Sequence, residues 1–260
     1  MSTLDLNLWI LAGICFATWL TSVITKEYSW VDRIWSIIPF VYLWVFASHN
    51  IADARLVLMA VVGTLWGVRL TFNFARKGGY AKGGEDYRWA ILRAKMPPVV
   101  YQIFNVFFIV IFQNVLLFLI TLPAARVLDS NVPFGIVDIA WAALFLGFLA
   151  FEFIADQQQW HFHQLKKAGK VQGFQTRGLF SVSRHPNFFA EQAQWWVLYF
   201  WGATVTGEYI GYDLLGVILL SALFAGSLRF TEQISLSKYP EYADYQKKVS
   251  ALIPWFPSKA

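Results

Sequence analysis

Residues 174–191 read FQTRGLFSVSRHPNFFAE and set Arg177, Arg184, His185, Asn187 and Glu191 directly ahead of a long apolar segment. Pro186 suits the first turn of a helix. Asn187 and Glu191 then stand one turn apart on one face, with Arg184 and His185 just before the helix N-terminus. Free N–H groups and fixed positive charge at such a start suit an anion or a polar cofactor. Taken singly, Arg177 and Arg184 equally fit basic residues that orient a membrane helix. The whole pattern Arg-His-Pro-Asn-x-x-x-Glu carries more polarity than an anchor needs.

Other stretches add to this set. Glu152 and Asp156 precede QQQWHFHQLKKAGK. Two acids with amides such as Gln159, entering a basic loop, suit ribose hydroxyls or an adenine edge. His161 and His163 are two positions apart and do not share a helix face, so no metal site is expected. The stretch WGVRLTFNFARKGGYAKGGEDYRWAILRAK is the densest in charge. Its Arg69, Arg76, Arg88 and Arg93 suit charge-assisted bonds to phosphates, Tyr87 is a candidate proton donor, and Gly78, Gly79, Gly83 and Gly84 make a loop able to close on a ligand. Arg69 lies inside an apolar run and is expected to face inward.

Asp32 and Arg33 also lie a few residues into an apolar run. They form either an interfacial pair with a snorkelling arginine or a cavity-lining acid able to donate a hydrogen bond as the neutral form. The tail LRFTEQISLSKYPEYADYQKKVSALIPWFP starts with Arg229 and Glu232 and turns amphipathic, with Tyr239, Tyr242 and Tyr245 between charges. It is either an interfacial surface helix anchored by Trp255 or a lid over the Arg184 to Glu191 segment.

The elements that must position these groups follow from composition. Of 260 residues, 57% are hydrophobic and 14% charged, and the mean hydropathy is +0.48; soluble domains carry about a quarter charged residues. The chain reads as an all-α integral membrane protein. Apolar runs of spanning length fall at 6–25, 33–50, 52–75, 99–122, 133–155, 187–206 and 210–230, which makes a seven-transmembrane helix bundle. Residues 1–260 read as a single membrane domain.

Lys and Arg cluster after helices one, three and five and in the tail from Lys238 to Lys259, leaving little but Arg55 and Arg126 on the other side. The positive-inside rule then puts the N-terminus outside and the C-terminus in the cytoplasm. Asp138 is expected at the outer interface without an evident role. The net charge of +5 is confined to connections between apolar runs, so it reports topology and a phosphate-bearing ligand and not nucleic acid. Cys15 is the lone cysteine and lies in the first run, which excludes an internal disulfide. Residues 1–8 lack a basic n-region, so the first segment is expected to be retained.

The segment TRGLFSVSRHPNFFAEQAQWW and the tail KYPEYADYQKKVSALIPWFP resemble the C-terminal domain of the steroid 5-alpha-reductase family, in particular its bacterial membrane branch. The likeness is most specific over Phe174 to Pro257, within a reductase-like region of about 130–260, and is helped by Glu85-Asp86-Tyr87-Arg88 and Trp66-Gly67-x-Arg69-Leu70. Sterol reductases acting on ring double bonds share a similar Arg-His-Pro-Asn element, as, more loosely, do isoprenylcysteine carboxyl methyltransferases.

This resemblance implies NADPH as hydride donor and reduction of the C4–C5 double bond of a 3-oxo-Δ4 steroid or a related lipophilic enone. It implies that Asn187, Glu191, Arg177 and basic residues of the third-helix loop hold the cofactor. The Gln-Glu pair and tyrosine that grip the steroid carbonyl in eukaryotic members are replaced here by Asp32-Arg33 and Trp66, so Asp32 stands in as the acid and Tyr87 as the phenol. The expected partners are a steroid-like substrate entering from the bilayer and membrane lipid, with no nucleic acid, in a monomer of the bacterial inner membrane whose site faces the cytoplasm. The alternatives are an S-adenosylmethionine-dependent methyltransferase and a non-catalytic sterol-binding protein.

Overall fold

Ser2 accepts the backbone N–H of Asp5 while Asp5 accepts that of Ser2, each at 3.0 Å, a reciprocal cap that starts α1 (Thr3–Thr25). The computed structural model describes residues 1–257, so Lys259 lies outside the described residues. Among the described residues every regular element is helical. After α1 come α2 (Trp30–Trp35), α3 (Ile38–Ala47), α4 (Ala54–Arg76), α5 (Tyr87–Lys95) and α6 (Pro98–Phe104). A π-helical segment, Asn105–Phe112, joins α6 to α7 (Gln113–Leu119), followed by α8 (Leu122–Arg126) and α9 (Ile136–Lys167). A 3₁₀ turn, Gly178–Ser181, leads to α10 (Pro186–Thr206), α11 (Leu214–Lys238) and α12 (Tyr242–Lys248).

Six of these stretches are long and apolar enough to cross a membrane: Thr3–Thr25, Trp30–Ala47, Ala54–Arg76, Pro98–Leu119, Ile136–Lys167 and Leu214–Lys238. The seventh expected crossing forms as helix α10, but Glu191, Gln192 and Gln194 make it more polar than the other six, and all three are buried. A polar helix in a membrane protein must turn those groups onto other protein. At 32 residues α9 is about 48 Å long. That exceeds the roughly 30 Å hydrocarbon core, so its polar last turns reach past the hydrocarbon.

The chain divides into two compact units, Met1–Ala142 with Leu198–Gly216, and Ala143–Val197 with Val217–Ala260. In the first unit α1 is tied to the π segment and α7 by polar side chains: Asn105 Nδ2 donates to Ser22 Oγ at 3.1 Å and Asn114 Nδ2 to Thr18 Oγ1 at 3.2 Å. Such bonds hold membrane helices together where no hydrophobic force acts between them.

Asp138 is not an idle interfacial acid. It is buried and accepts from Arg55 Nε at 2.6 Å, Arg55 Nη2 at 3.1 Å, Trp201 Nε1 at 2.7 Å and the Gly135 N–H at 2.9 Å. Arg55 gives its remaining donors to the carbonyls of Val132 and Pro133, both at 3.0 Å. Arg126 pairs with Asp213 at 2.9 Å and Glu208 at 3.2 Å. Both arginines of the weakly basic side are thus engaged inside the first unit.

The glycine-rich connection 77–86 differs from a freely closing flap. Gly78 and Gly83 take φ of 85° and 76° to make its turns, but the 26–33 connection clasps it. Glu27 bridges Arg33 at 2.7 Å and accepts the Gly83 N–H at 3.1 Å; Arg33 Nε donates to Gly79 O at 3.2 Å and Tyr80 to Arg33 O at 2.9 Å. The hydrogen bond from Arg33, with that from Gly83, holds the Glu27 carboxyl below the usual carboxylate range. A depressed pKa stabilises the clasp above the unfolded value and loses that contribution as pH falls through the folded one. Glu27→Gln should open the loop at neutral pH, as protonation of Glu27 does in acid. Faster tryptic cleavage after Lys82 than in neutral wild type would register it, and equal rates would show that the clasp does not hold the loop.

Candidate functional site

In the second unit, two contacts fix how α10 runs beside α9. The Leu179 N–H reaches Gln158 Oε1 at 2.9 Å, and fifteen residues on Gln194 Nε2 reaches Glu152 Oε2 at 2.7 Å. As the chain advances it moves back along α9, so the helices are antiparallel. Asn187, Glu191 and Gln194 share a helix face. That register sets Glu191 at the level of Asp156 and Asn187 at the level of Gln159. Glu152, Asp156, Glu191 and Gln194 are all buried, and Asn187 is half-buried. Gln194 Oε1 is buried with no hydrogen-bond donor, an orphaned acceptor within a row of acids and amides.

A second centre gathers on Glu232 of α11, a buried carboxylate inside an apolar helix. Arg184 donates through Nε at 2.6 Å and Nη2 at 3.1 Å, Gln246 Nε2 at 2.7 Å, and His185 Nε2 lies at 3.1 Å. The Tyr242 hydroxyl is 3.4 Å away. Arg184 Nη1 also donates to Gln246 O at 2.9 Å and to Val249 O, and the Arg184 N–H to Ser250 O at 2.8 Å. Ser183 Oγ adds a bond to Leu252 O at 2.7 Å. Burial pushes the Tyr242 and Tyr245 phenols up, so they remain neutral donors.

Phe174 packs on Tyr239, Tyr242 and Tyr245 with ring centroids at 5.7, 4.8 and 5.4 Å. The tail is therefore fastened over the start of α10. Arg184, His185 and Tyr242, expected to touch a cofactor, instead point their polar atoms at Glu232 and the tail backbone. Arg177 and Arg229 are exposed.

The first unit holds the candidate acid. Asp32 is half-buried in α2 and accepts Trp89 Nε1 at 2.6 Å. Arg33 does not pair with it, being held by Glu27. Trp89 belongs to an apolar cluster with Tyr28, Val31, Tyr101 and Ile109, so the donor to the acid is itself held by packing. Tyr87 is 49% exposed at the start of α5, two positions before Trp89 and so on a different face of the helix. The loop arginines have local partners: Arg88 with Asp86 at 2.9 Å, Arg93 with Glu85 at 3.6 Å, and Arg76 with Asn73 Oδ1 at 2.7 Å. Arg69 is buried in α4, as its place in an apolar run required.

Gln246, Gln194 and Trp89 are participants that sequence reasoning left out, and Glu232 was named there without a role. One signal was present for Glu232, a carboxylate two positions past the last apolar run, since an ionisable group so close to the hydrocarbon needs a partner.

Buried carboxylates and amides between long apolar helices define a polytopic helical membrane protein with a polar interior. The chain belongs to the family described as "protein of unknown function (DUF1295)", which matches residues 18–249. It is also 39% identical over 258 residues to an uncharacterized protein of Schizosaccharomyces pombe, covering 91% of this chain and 75% of that protein. No solved structure matches it.

Proposed function

We propose that the chain is an oxidoreductase that uses NADPH to saturate the carbon–carbon double bond of a lipophilic enone, a 3-oxo-Δ4 steroid or a close relative, entering from the bilayer. The observation that carries this reading is the buried row of Glu152, Asp156, Asn187, Glu191 and Gln194 in the second unit. Carboxylates and amide oxygens accept from ribose hydroxyls and from a carboxamide, and the orphaned Gln194 Oε1 lacks such a donor. NADPH, when bound, supplies the hydride for the carbon β to the substrate carbonyl.

The chain's own groups do the rest. Asn187 and Glu191 orient the reactive end, and exposed Arg177 offers a bidentate partner for phosphate. Arg184, His185 and Tyr242 act one step removed, by fixing the start of α10 through Glu232. Asp32, steadied by Trp89, hydrogen-bonds the substrate oxygen, which stabilises the enolate that forms before a proton reaches the α carbon. In this reading α10 is a seventh crossing, the N-terminus lies outside, and the polar row faces the cytoplasm of a bacterial inner membrane.

One observation favours a second reading. Arg88, Arg93 and Arg184 have carboxylate partners of their own, which reduces the positive charge left for three phosphates. S-adenosylmethionine carries no phosphate and its ribose suits the same acids, so a methyltransferase acting on a lipophilic acid or thiol is the alternative.

The test is turnover of a 3-oxo-Δ4 steroid with NADPH by the full chain in liposomes. Asn187→Ala and Glu191→Ala should each abolish or strongly reduce turnover while the protein still inserts. Asp32→Asn keeps the shape but not the acid, and should lower kcat by about 10²-fold with NADPH affinity unchanged. Wild-type turnover in both α10 variants would remove the buried row from the mechanism, and an unaltered kcat in Asp32→Asn would pass the acid's role to Tyr87.

A further inference from the structure

A cavity of about 430 Å³ opens in the second unit where α9 ends and the tail begins, lined by Lys166, Gly169, Gly173, Tyr239 and Glu241 among others. None of the chemistry above uses it. Its two walls carry opposite charges. Lys166 Nζ is held in place by two acceptors, Gly173 O and Tyr239 Oη, each at 2.5 Å, which leaves one ammonium N–H undirected. Tyr239, accepting from Lys166, retains its own O–H for a ligand.

Glu241 lies across Gly173, its Oε1 3.9 Å from where a β-carbon on Gly173 would sit. Among the described residues Glu241 has no ion-pair partner, and no Lys166–Glu241 bridge forms. Gly173 adopts φ of 74°, a left-handed turn that brings its carbonyl to the lysine while keeping its α-carbon open to the carboxylate. The result is a fixed ammonium and an unpaired carboxylate on either side of one residue, facing a shared space.

The level of this cavity follows from the elements that wall it. It sits at the C-terminal ends of two helices long and apolar enough to span, Ile136–Lys167 and Leu214–Lys238. The tail that forms its second wall exposes Trp255 by 70% and Phe256 by 85%. Such large exposed aromatics are stable where a bilayer interface covers them.

We propose that this cavity binds the zwitterionic phosphoamine headgroup of a membrane phospholipid, with the phosphate on Lys166 and Tyr239 and the ammonium on Glu241. A phosphoethanolamine unit carries one anionic and one cationic group on a single short chain, as the two walls carry one cationic and one anionic side chain. A purely anionic headgroup would meet Glu241 as a like charge, and a purely cationic one would meet Lys166.

The experiment measures binding of dihexanoyl-phosphatidylethanolamine, dihexanoyl-phosphatidylglycerol and free O-phosphoethanolamine to the full chain in detergent. Wild type should bind the ethanolamine lipid about tenfold tighter than the glycerol lipid, the effect of one hydrogen bond to a charged group. Glu241→Gln should erase that preference, and Lys166→Met should weaken both lipids about tenfold. Glu241 is exposed, so its variant folds even if the lysine variant does not. No lipid binding by wild type, or an unchanged lipid preference in Glu241→Gln, would overturn the proposal. Binding of free phosphoethanolamine as tight as that of the lipid would overturn the lipid as its source.

Discussion

Glu232→Ala is expected to destabilise the protein by about 3–5 kcal/mol, the scale for removing one partner of a buried ion pair. Glu232 accepts from Arg184, Gln246 and Tyr242 and contacts His185. Its removal leaves the Arg184 guanidinium buried with only the carbonyls of Gln246 and Val249 for compensation. Because the same guanidinium joins the tail to the start of α10, the tail should detach as well. Thermal unfolding in detergent should therefore show a fall of many degrees, and proteolysis should begin in the tail near Lys247 and Lys248. Glu232→Gln keeps the shape and one acceptor and should be milder. The double variant Arg184→Met, Glu232→Leu should recover much of the loss, since an apolar pair removes the stranded charge. A Tm near wild type for Glu232→Ala would show that the tail is held by its aromatic contacts alone.

Asp138→Ala should have an effect of similar size in the first unit, about 3–5 kcal/mol. Asp138 accepts four hydrogen bonds, from Arg55 twice, Trp201 and the Gly135 backbone. All three side chains are buried, so neither Arg55 nor Trp201 reaches water once the carboxylate is gone. Trp201→Phe deletes only one donor and should cost about 1 kcal/mol. Arg55→Met with Asp138→Leu should again be better tolerated than either single change. These substitutions lie in the first unit, whereas the proposed cofactor row lies in the second. NADPH affinity of the surviving folded protein should therefore stay at the wild-type value; a loss of affinity that exceeds the loss of folded protein would assign this pair to the binding chemistry.

The helical class and six of its spans were legible because about twenty apolar residues bounded by charge leave few other structures possible in lipid. The segment from Arg184 to Glu191 was legible as a helix start because Pro186 marks the first turn. Its partners were not, since Glu232 and Gln246 lie 48 and 62 positions beyond Arg184, and nothing local encodes such pairing. The same distance hid the Arg55–Asp138 pair, whose members are 83 positions apart. For Arg33 adjacency misled: its neighbour in sequence is Asp32, but successive helix positions point about 100° apart, which sends the guanidinium to Glu27 and the carboxylate to Trp89. Charge in the glycine-rich loop read as available for phosphate because sequence shows arginines and acids without showing which of them pair. Glycines there signalled turns correctly, while the clasp that fixes those turns depends on side chains of the preceding connection.

The measurement that bears most directly on the central claim is thermal stabilisation of the purified full chain by dinucleotide. With NADPH at a hundredfold excess over its Kd, stability should rise by about 2.7 kcal/mol, with a smaller rise for NADH and none for S-adenosylmethionine. The rise should disappear in Asn187→Ala and Glu191→Ala. Stabilisation by S-adenosylmethionine and not by NADPH, or by neither, would contradict the reductase reading.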